Sequence, residues 1–277
     1  QENMYITAGV NKPKPLKNVI WNVSENSNKE PYNTSYIPRW KKIAARIRQL
    51  DPLHPIGIGI TEETDSNAAA GMGMANYAND LNIDMQFALH IGTAPTPSTP
   101  AQLNSIMRAL VGTANNRYAV MMTQQVRPAS LGADGRKSNW AMATAGTSVM
   151  QSTSLGGSND KTGYMWHILD SPDADLNTLG YMDEFFQGIP TLNTMVPRND
   201  LKFGNTQYVL AVAGQSYVAY SGAATSNLGV KGLVANARYD LKWLDTVDGS
   251  TVVQSNLLVT TTSKAFTARD IHGKWSL

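Results

Sequence analysis

The chain has 277 residues, 42% of them hydrophobic, which is enough for one large or two medium domains with a real core and excludes a disordered or collagen-like chain. Lys plus Arg number 23 and Asp plus Glu 21, a net charge of +2, so bulk charge gives no reason to expect nucleic acid or an anionic membrane surface as partner. There is no cysteine, which excludes disulfides, thiolate zinc sites and cysteine nucleophiles, and no apolar run approaches the ~20 residues of a membrane-spanning helix.

Only 16% of residues are charged, against an average of about 25% in globular chains, while Asn, Thr, Ser, Gly and Ala abound. That texture suits an extracellular or cell-surface protein, and the polar start at Gln1 suits a chain whose export signal has been removed.

From Lys17 to about Gly188, short apolar runs alternate with helical patterns, the signature of βα units around a parallel sheet. Five strands are predicted, at residues 18–23, 55–61, 83–92, 117–123 and 146–152. Between the first two, Ile37, Trp40, Ile43, Ala44, Ile47 and Leu50 recur at helical spacing, with Arg39, Lys41, Lys42, Arg46 and Arg48 on a face expected to be solvated. Thr99, Pro100 and Gln102 read as N-cap, proline at the first helical position and capping-box glutamine, ahead of Leu103, Ile106, Met107, Leu110 and Val111. Ser171 and Pro172 repeat the device before Leu176, Leu179, Met182 and Phe186.

After residues 190–201 the pattern changes to short alternating strands: 207–214, 216–222, 237–245, 250–259 and 264–270. Gly214-Gln215 and Asp248-Gly249 supply turn signals. These strands predict a small antiparallel β-sandwich, with the boundary near Pro197, so that residues 1–196 and 197–277 form two domains packed directly together.

In a parallel βα barrel, polar residues at the carboxyl ends of strands carry the chemistry. The run NVIWNVSEN places Glu25 just after an apolar run that carries Trp21 and Asn22, where a carboxylic acid can protonate a glycosidic oxygen; a plain loop glutamate is the alternative. His90 closes the third strand and can orient a sugar or a carboxylate, or be a satisfied buried histidine. Trp166 beside His167 can line a sugar subsite or simply pack in the core; Trp21 and Trp140 pose the same choice. Glu62, Glu63 and Asp65 can bind a hard cation through their oxygens but read better as a solvated loop, and no metal or cofactor is expected.

NVIWNVSEN followed by PRWKKIAARIRQLDPLHPIGIG resembles the fourth strand, helix and fifth strand of (β/α)8-barrel glycoside hydrolases. NIDMQFALHIG resembles the sixth strand, RYAVMMTQQVRPASLGADGRKSNWAMATAGTSVM the seventh and eighth, and YMDEFFQGIPTLNTMVPRNDL the last helix and its exit. YVLAVAGQSYVAYSG and YDLKWLDTVDG resemble the opening of a C-terminal β domain of the putative collagen-binding type. The resemblance covers residues 17–277 and implies an α/β fold, a partial barrel of about strands four to eight followed by the sandwich. It also implies a secreted carbohydrate-active protein with Glu25 as general acid, and a polysaccharide or glycoside as ligand.

Two departures follow from the same comparison. Where the family has a second catalytic carboxylate, this chain reads Gln124 or Gln125, and a neutral amide is neither nucleophile nor base unless Asp134 or Asp170 substitutes. Only 24 residues precede Glu25, where three βα units are expected, and a barrel so shortened exposes strand edges. Either the chain is the C-terminal fragment of a longer enzyme, or an N-terminal half-barrel on another chain, or self-association, covers them. A non-catalytic, self-assembling structural or glycan-binding subunit is therefore the alternative to a hydrolase.

Overall fold

The structure is a computed structural model and describes residues 2–24, 36–61, 76–77, 79–91, 99–115, 119–125, 132–149, 173–223, 225 and 227–267. The chain forms two compact units. One comprises Gln1–Ser98, Ser105–Arg127 and Thr147–Ser152, the other Thr99–Asn104, Pro128–Gly146 and Thr153–Leu277.

The first unit is built on a five-stranded parallel sheet of β1 (Trp21–Asn22), β2 (Ile56–Thr61), β3 (Met85–Ile91), β4 (Ala119–Gln125) and β5 (Ser148–Val149). All five predicted strands form, and they lie side by side in chain order. Residues in register across parallel strands share a face. One face carries Ile56, Ile58, Gln86, Ala88, Val120 and Met122, all buried. The other carries Asn22, Gly57, Met85, Gly59, Phe87 and Met121. The Ile-Gly alternation of β2 has a steric cause, since a Cβ at Gly57 would sit 2.3 Å from the Phe87 ring.

Helix α1 (Glu2–Asn11) has no clear signal in the sequence, and of its side chains only Val10 is buried. It is held by the basic side of α2 (Ile37–Leu50), whose Ala44 and Ile47 are buried. Arg39 pairs with Glu2 at 2.9 Å and Arg46 Nη2 donates to Thr7 Oγ1 at 3.0 Å. Arg39 and Arg46 therefore fasten neighbouring chain, while Arg39 and Lys42 stay exposed as expected of a solvated face.

Helix α3 (Pro100–Ala114) starts at the predicted capping box. The Thr99 backbone N–H donates to Gln102 Oε1 at 2.8 Å and the Gln102 N–H returns to Thr99 Oγ1 at 3.3 Å. Leu103, Ile106, Met107 and Leu110 are buried as the periodicity predicts, and Ala114 joins them. In the second unit, α4 (Gly132–Ala143) buries Trp140, which stacks on Tyr220 with centroids 5.4 Å apart and meets Phe185 and Phe186 at 5.5 Å. Trp140 is thus a core residue and not a sugar platform. Phe185 and Phe186 lie on α5 (Asp173–Gln187).

The remaining elements of this unit are small antiparallel sheets. β6 (Val196–Pro197), β8 (Tyr208–Val212) and β9 (Ser216–Tyr220) form one, in the order β6-β8-β9. β7 (Lys202–Gly204), β10 (Asn227–Lys231) and β13 (Ser263–Thr267) form another, with β10 central. β11 (Ala237–Leu244) and β12 (Thr251–Val259) pair as a hairpin. Gly214 and Gly249 occupy the predicted turns with φ of +80° and +78°, a region in which glycine carries no Cβ penalty. A polar chain ties the helices to the sheet: Asn104 donates to Ala141 O at 2.6 Å, Asn199 to Asn104 Oδ1 at 2.8 Å, and the Val209 N–H to Asn199 Oδ1 at 2.9 Å.

Candidate functional site at the carboxyl ends of the parallel strands

The two ends of the parallel sheet differ in chemistry. At the amino ends, Asp51 is fully buried and its carboxylate is saturated. Trp21 Nε1 donates to Oδ2 at 3.0 Å, His54 Nδ1 lies 2.7 Å from the same oxygen, and the Leu53 and His54 N–H groups donate to Oδ1 at 3.2 Å. Burial alone would raise this carboxyl, but the hydrogen bonds from His54, Trp21 and the backbone outweigh it and hold it down at about 2.

Beside it, Arg48 donates to the carbonyls of Pro52 and His54 at 3.2 and 3.1 Å and pairs with Asp84. Asp84 in turn accepts from the Ile56 N–H at 2.9 Å. These groups are satisfied by one another and fasten strand starts. The Leu-Asp-Pro, His-Pro turn contains Asp51 and His54; the roles of Arg48 and Asp84 had no local signature, because their partners lie 36 residues apart.

Of the predicted site residues, His90, Gln124 and Gln125 lie at the carboxyl ends of β3 and β4. The last described residue before Glu25 is Ser24, whose carbonyl accepts from the Gly59 N–H at 2.6 Å. Gly59 is level with Phe87 and, through it, with Met121. Beyond that level, Thr61 aligns with Leu89 and Leu89 with Gln124, while Ile91 aligns with Gln125. His90 therefore lies between the two β3 residues that face Gln124 and Gln125 in register. The pairing slips twice here, between Ala88 and Leu89 and between Leu89 and Ile91. Such irregularities re-aim side chains and are frequent beside active sites.

Asn22, the other β1 candidate, is exposed and shares the face of Gly57 and Met85. Trp21 is half-buried, with its indole N–H committed to Asp51 at the amino end. Asp134 is exposed in the first turn of α4. Glu25, Glu62, Glu63, Asp65, Trp166, His167 and Asp170, together with the Ser171-Pro172 cap, lie outside the described residues.

Among the described residues no cluster of three His, Asp or Glu side chains could hold a metal ion, and no helix is long and apolar enough to cross a membrane. Compared with protein-family models, curated proteins and solved structures, the chain finds no match in any of the three.

Proposed function

We propose that this chain is an extracellular carbohydrate-active protein of glycoside-hydrolase type that binds a polysaccharide or glycoside at the carboxyl ends of its parallel strands. In this reading residues 1–196 are the strand-four-to-eight part of a (β/α)8 barrel and residues 197–277 are a β-sandwich. The observation that carries it is the strand order. Five parallel strands follow one another without reversal, as in a barrel, whereas a doubly wound sheet reverses at a switch point. The strand carrying His90 and the strand carrying Gln124 and Gln125 are neighbours, and their pairing is irregular at that end.

Glu25 is the general acid, and Asn22, His90, Gln125, Trp166 and His167 are the sugar-contacting candidates. Gln124 stands at the position of the second carboxylate, so the site binds a glycan without cleaving it, because both the retaining and the inverting route need a second carboxyl group. The test measures oligosaccharide binding by calorimetry and reducing-sugar release for the native chain and for Glu25→Gln. Binding with no release in either supports the reading. Absence of binding across plant, fungal and bacterial glycans overturns it.

A second reading, a self-assembling structural or glycan-binding subunit, draws on the first unit's surface. Met4 (77%), Tyr5 (86%), Leu53 (85%) and Leu81 (83%) are large apolar residues left largely exposed, with Leu16 and Ile20 also open to solvent. Among the described residues β1 has a strand partner on one side only. Exposed apolar groups and an open strand edge are features that association covers. Another copy of this chain, or an N-terminal half-barrel on a different chain, is the matching partner.

A further inference from the structure

A second candidate site lies wholly within the second unit. A cleft of about 520 Å³ opens between β9 and β11, floored by residues 228–230 of β10. That volume is within the range of small-ligand sites. Among the described residues β9 pairs only with β8 and β11 only with β12, so each has an edge with no strand partner among them. Consecutive residues 214–219 and 237–243 line the cleft, meaning that side chains of both faces and the strand edges border it.

Five aromatic side chains, Phe185, Tyr217, Tyr239, Trp243 and Phe266, line the same space, and each is half-buried. Three are pinned by their polar tips. The Tyr217 hydroxyl accepts from the Gly214 N–H at 2.5 Å and donates to the Gly232 carbonyl. The Tyr239 hydroxyl accepts from the Val234 N–H at 2.9 Å and donates to Gly214 O at 3.1 Å. Trp243 Nε1 donates to Gln254 Oε1 at 2.6 Å. Rings held in this way present preorganised apolar surface.

The lining also selects the ligand. The charged lining residues are already engaged: Arg238 donates to Asn256 O at 2.8 Å, Asp240 Oδ1 accepts from the Asn256 N–H at 2.7 Å, and Lys242 Nζ lies 5.7 Å from the Phe185 ring centroid, which suits a neutral ligand better than an anion or a cation. Aromatic surface beside polar strand edges matches a molecule with apolar faces and a hydroxyl rim. From these features we infer that the cleft between β9 and β11 binds a short stretch of a neutral oligosaccharide, with Trp243 as the principal stacking surface. The site is separate from the carboxyl ends of the parallel strands and does not depend on what happens there.

The test is native gel electrophoresis of the full chain through gels containing xyloglucan, arabinoxylan, mixed-linkage β-glucan, pullulan or galactomannan. At least one polymer should retard the native protein. Trp243→Ala should weaken that affinity about tenfold or more, the loss typical of a central aromatic anchor. Should Trp243→Ala not fold, Leu241→Trp, which fills the cleft from its half-buried wall, serves in its place, with far-UV circular dichroism confirming the fold.

Undiminished binding by both folded variants overturns the inference and leaves the reading of the parallel strands standing. Loss of binding in Glu25→Gln but not in Trp243→Ala assigns the glycan to the parallel strands alone. Retardation by gelatin and by none of the polysaccharides overturns it in favour of an extended polypeptide.

Discussion

Trp21 Nε1 donates to Asp51 Oδ2 at 3.0 Å, so the carboxylate that closes the turn before β2 also anchors β1. The folded carboxyl sits at about 2, below its ordinary 3.8, so the carboxylate form is favoured by folding. Its contribution is fully present above about pH 4 and is lost as pH falls through about 2, and the shift corresponds to about 2 kcal/mol. Urea titrations between pH 2 and 5 should show this slope in the native chain and its loss in Asp51→Asn. At pH 7, Asp51→Asn should be less stable by about the same 2 kcal/mol. Equal pH dependence in the two proteins would show that Asp51 is not the pin.

Gly229 in the central strand β10 has no room for a side chain. A Cβ there would lie 2.6 Å from Lys264 O and 2.8 Å from Ala265 Cα, both backbone atoms that cannot swing aside. Gly229→Ala should cost more than about 2 kcal/mol, the range of substitutions that force strain on a core. Gly180→Ala in α5, with nothing within 4 Å of the new methyl, should instead stabilise by about 0.5–1 kcal/mol through helix propensity. Thermal melts of the pair check both signs.

The same glycine explains part of what the sequence conceals. β3 and β4 are legible as apolar runs and β2 as an Ile-Gly alternation, whereas the run at β5 shows only Val149 and Met150, and α3 announces itself through Thr99 and Gln102. β10 reads as a loop, since Asn227 and Gly229 are poor strand formers and close backbone approach, not side-chain pattern, decides its place. α1 has almost no apolar face and is held through Glu2 and Thr7 to arginines some 37–39 residues away. The site is legible only as positions at strand ends. The aromatic cleft has one local trace, Tyr239 and Trp243 at even spacing on β11, but its other wall comes from β9 and cannot be paired with it by spacing.

Association driven by the first unit's open surface should depend on its exposed apolar residues. Sedimentation equilibrium from 1 to about 100 μM should show a concentration-dependent mass if another copy covers them. Tyr5→Asp with Met4→Asp places two charges where an interface core would have to exclude water, and should weaken association about tenfold or more. Since both side chains are exposed in the monomer, the melting temperature of dilute protein should hardly change. A monomer at every concentration would remove the second copy as the partner.

Gln124 aligns with Leu89 and Gln125 with Ile91, so the two amides occupy different levels of the same strand end. If Gln124 holds the place of the lost carboxylate, Gln124→Glu should create the second acidic group that glycoside hydrolysis requires, while Gln125→Glu should not. Reducing-sugar release from a bound glycan should then rise about 100-fold or more over the native chain, the scale of a restored general base. Its pH profile should be bell-shaped, because one carboxyl must be protonated and the other ionised. Adding Glu25→Gln to Gln124→Glu should abolish the gain, since the acid would then be missing. Glycan binding that persists in Gln124→Glu with no release at any pH would show that β4 does not supply the second carboxylate.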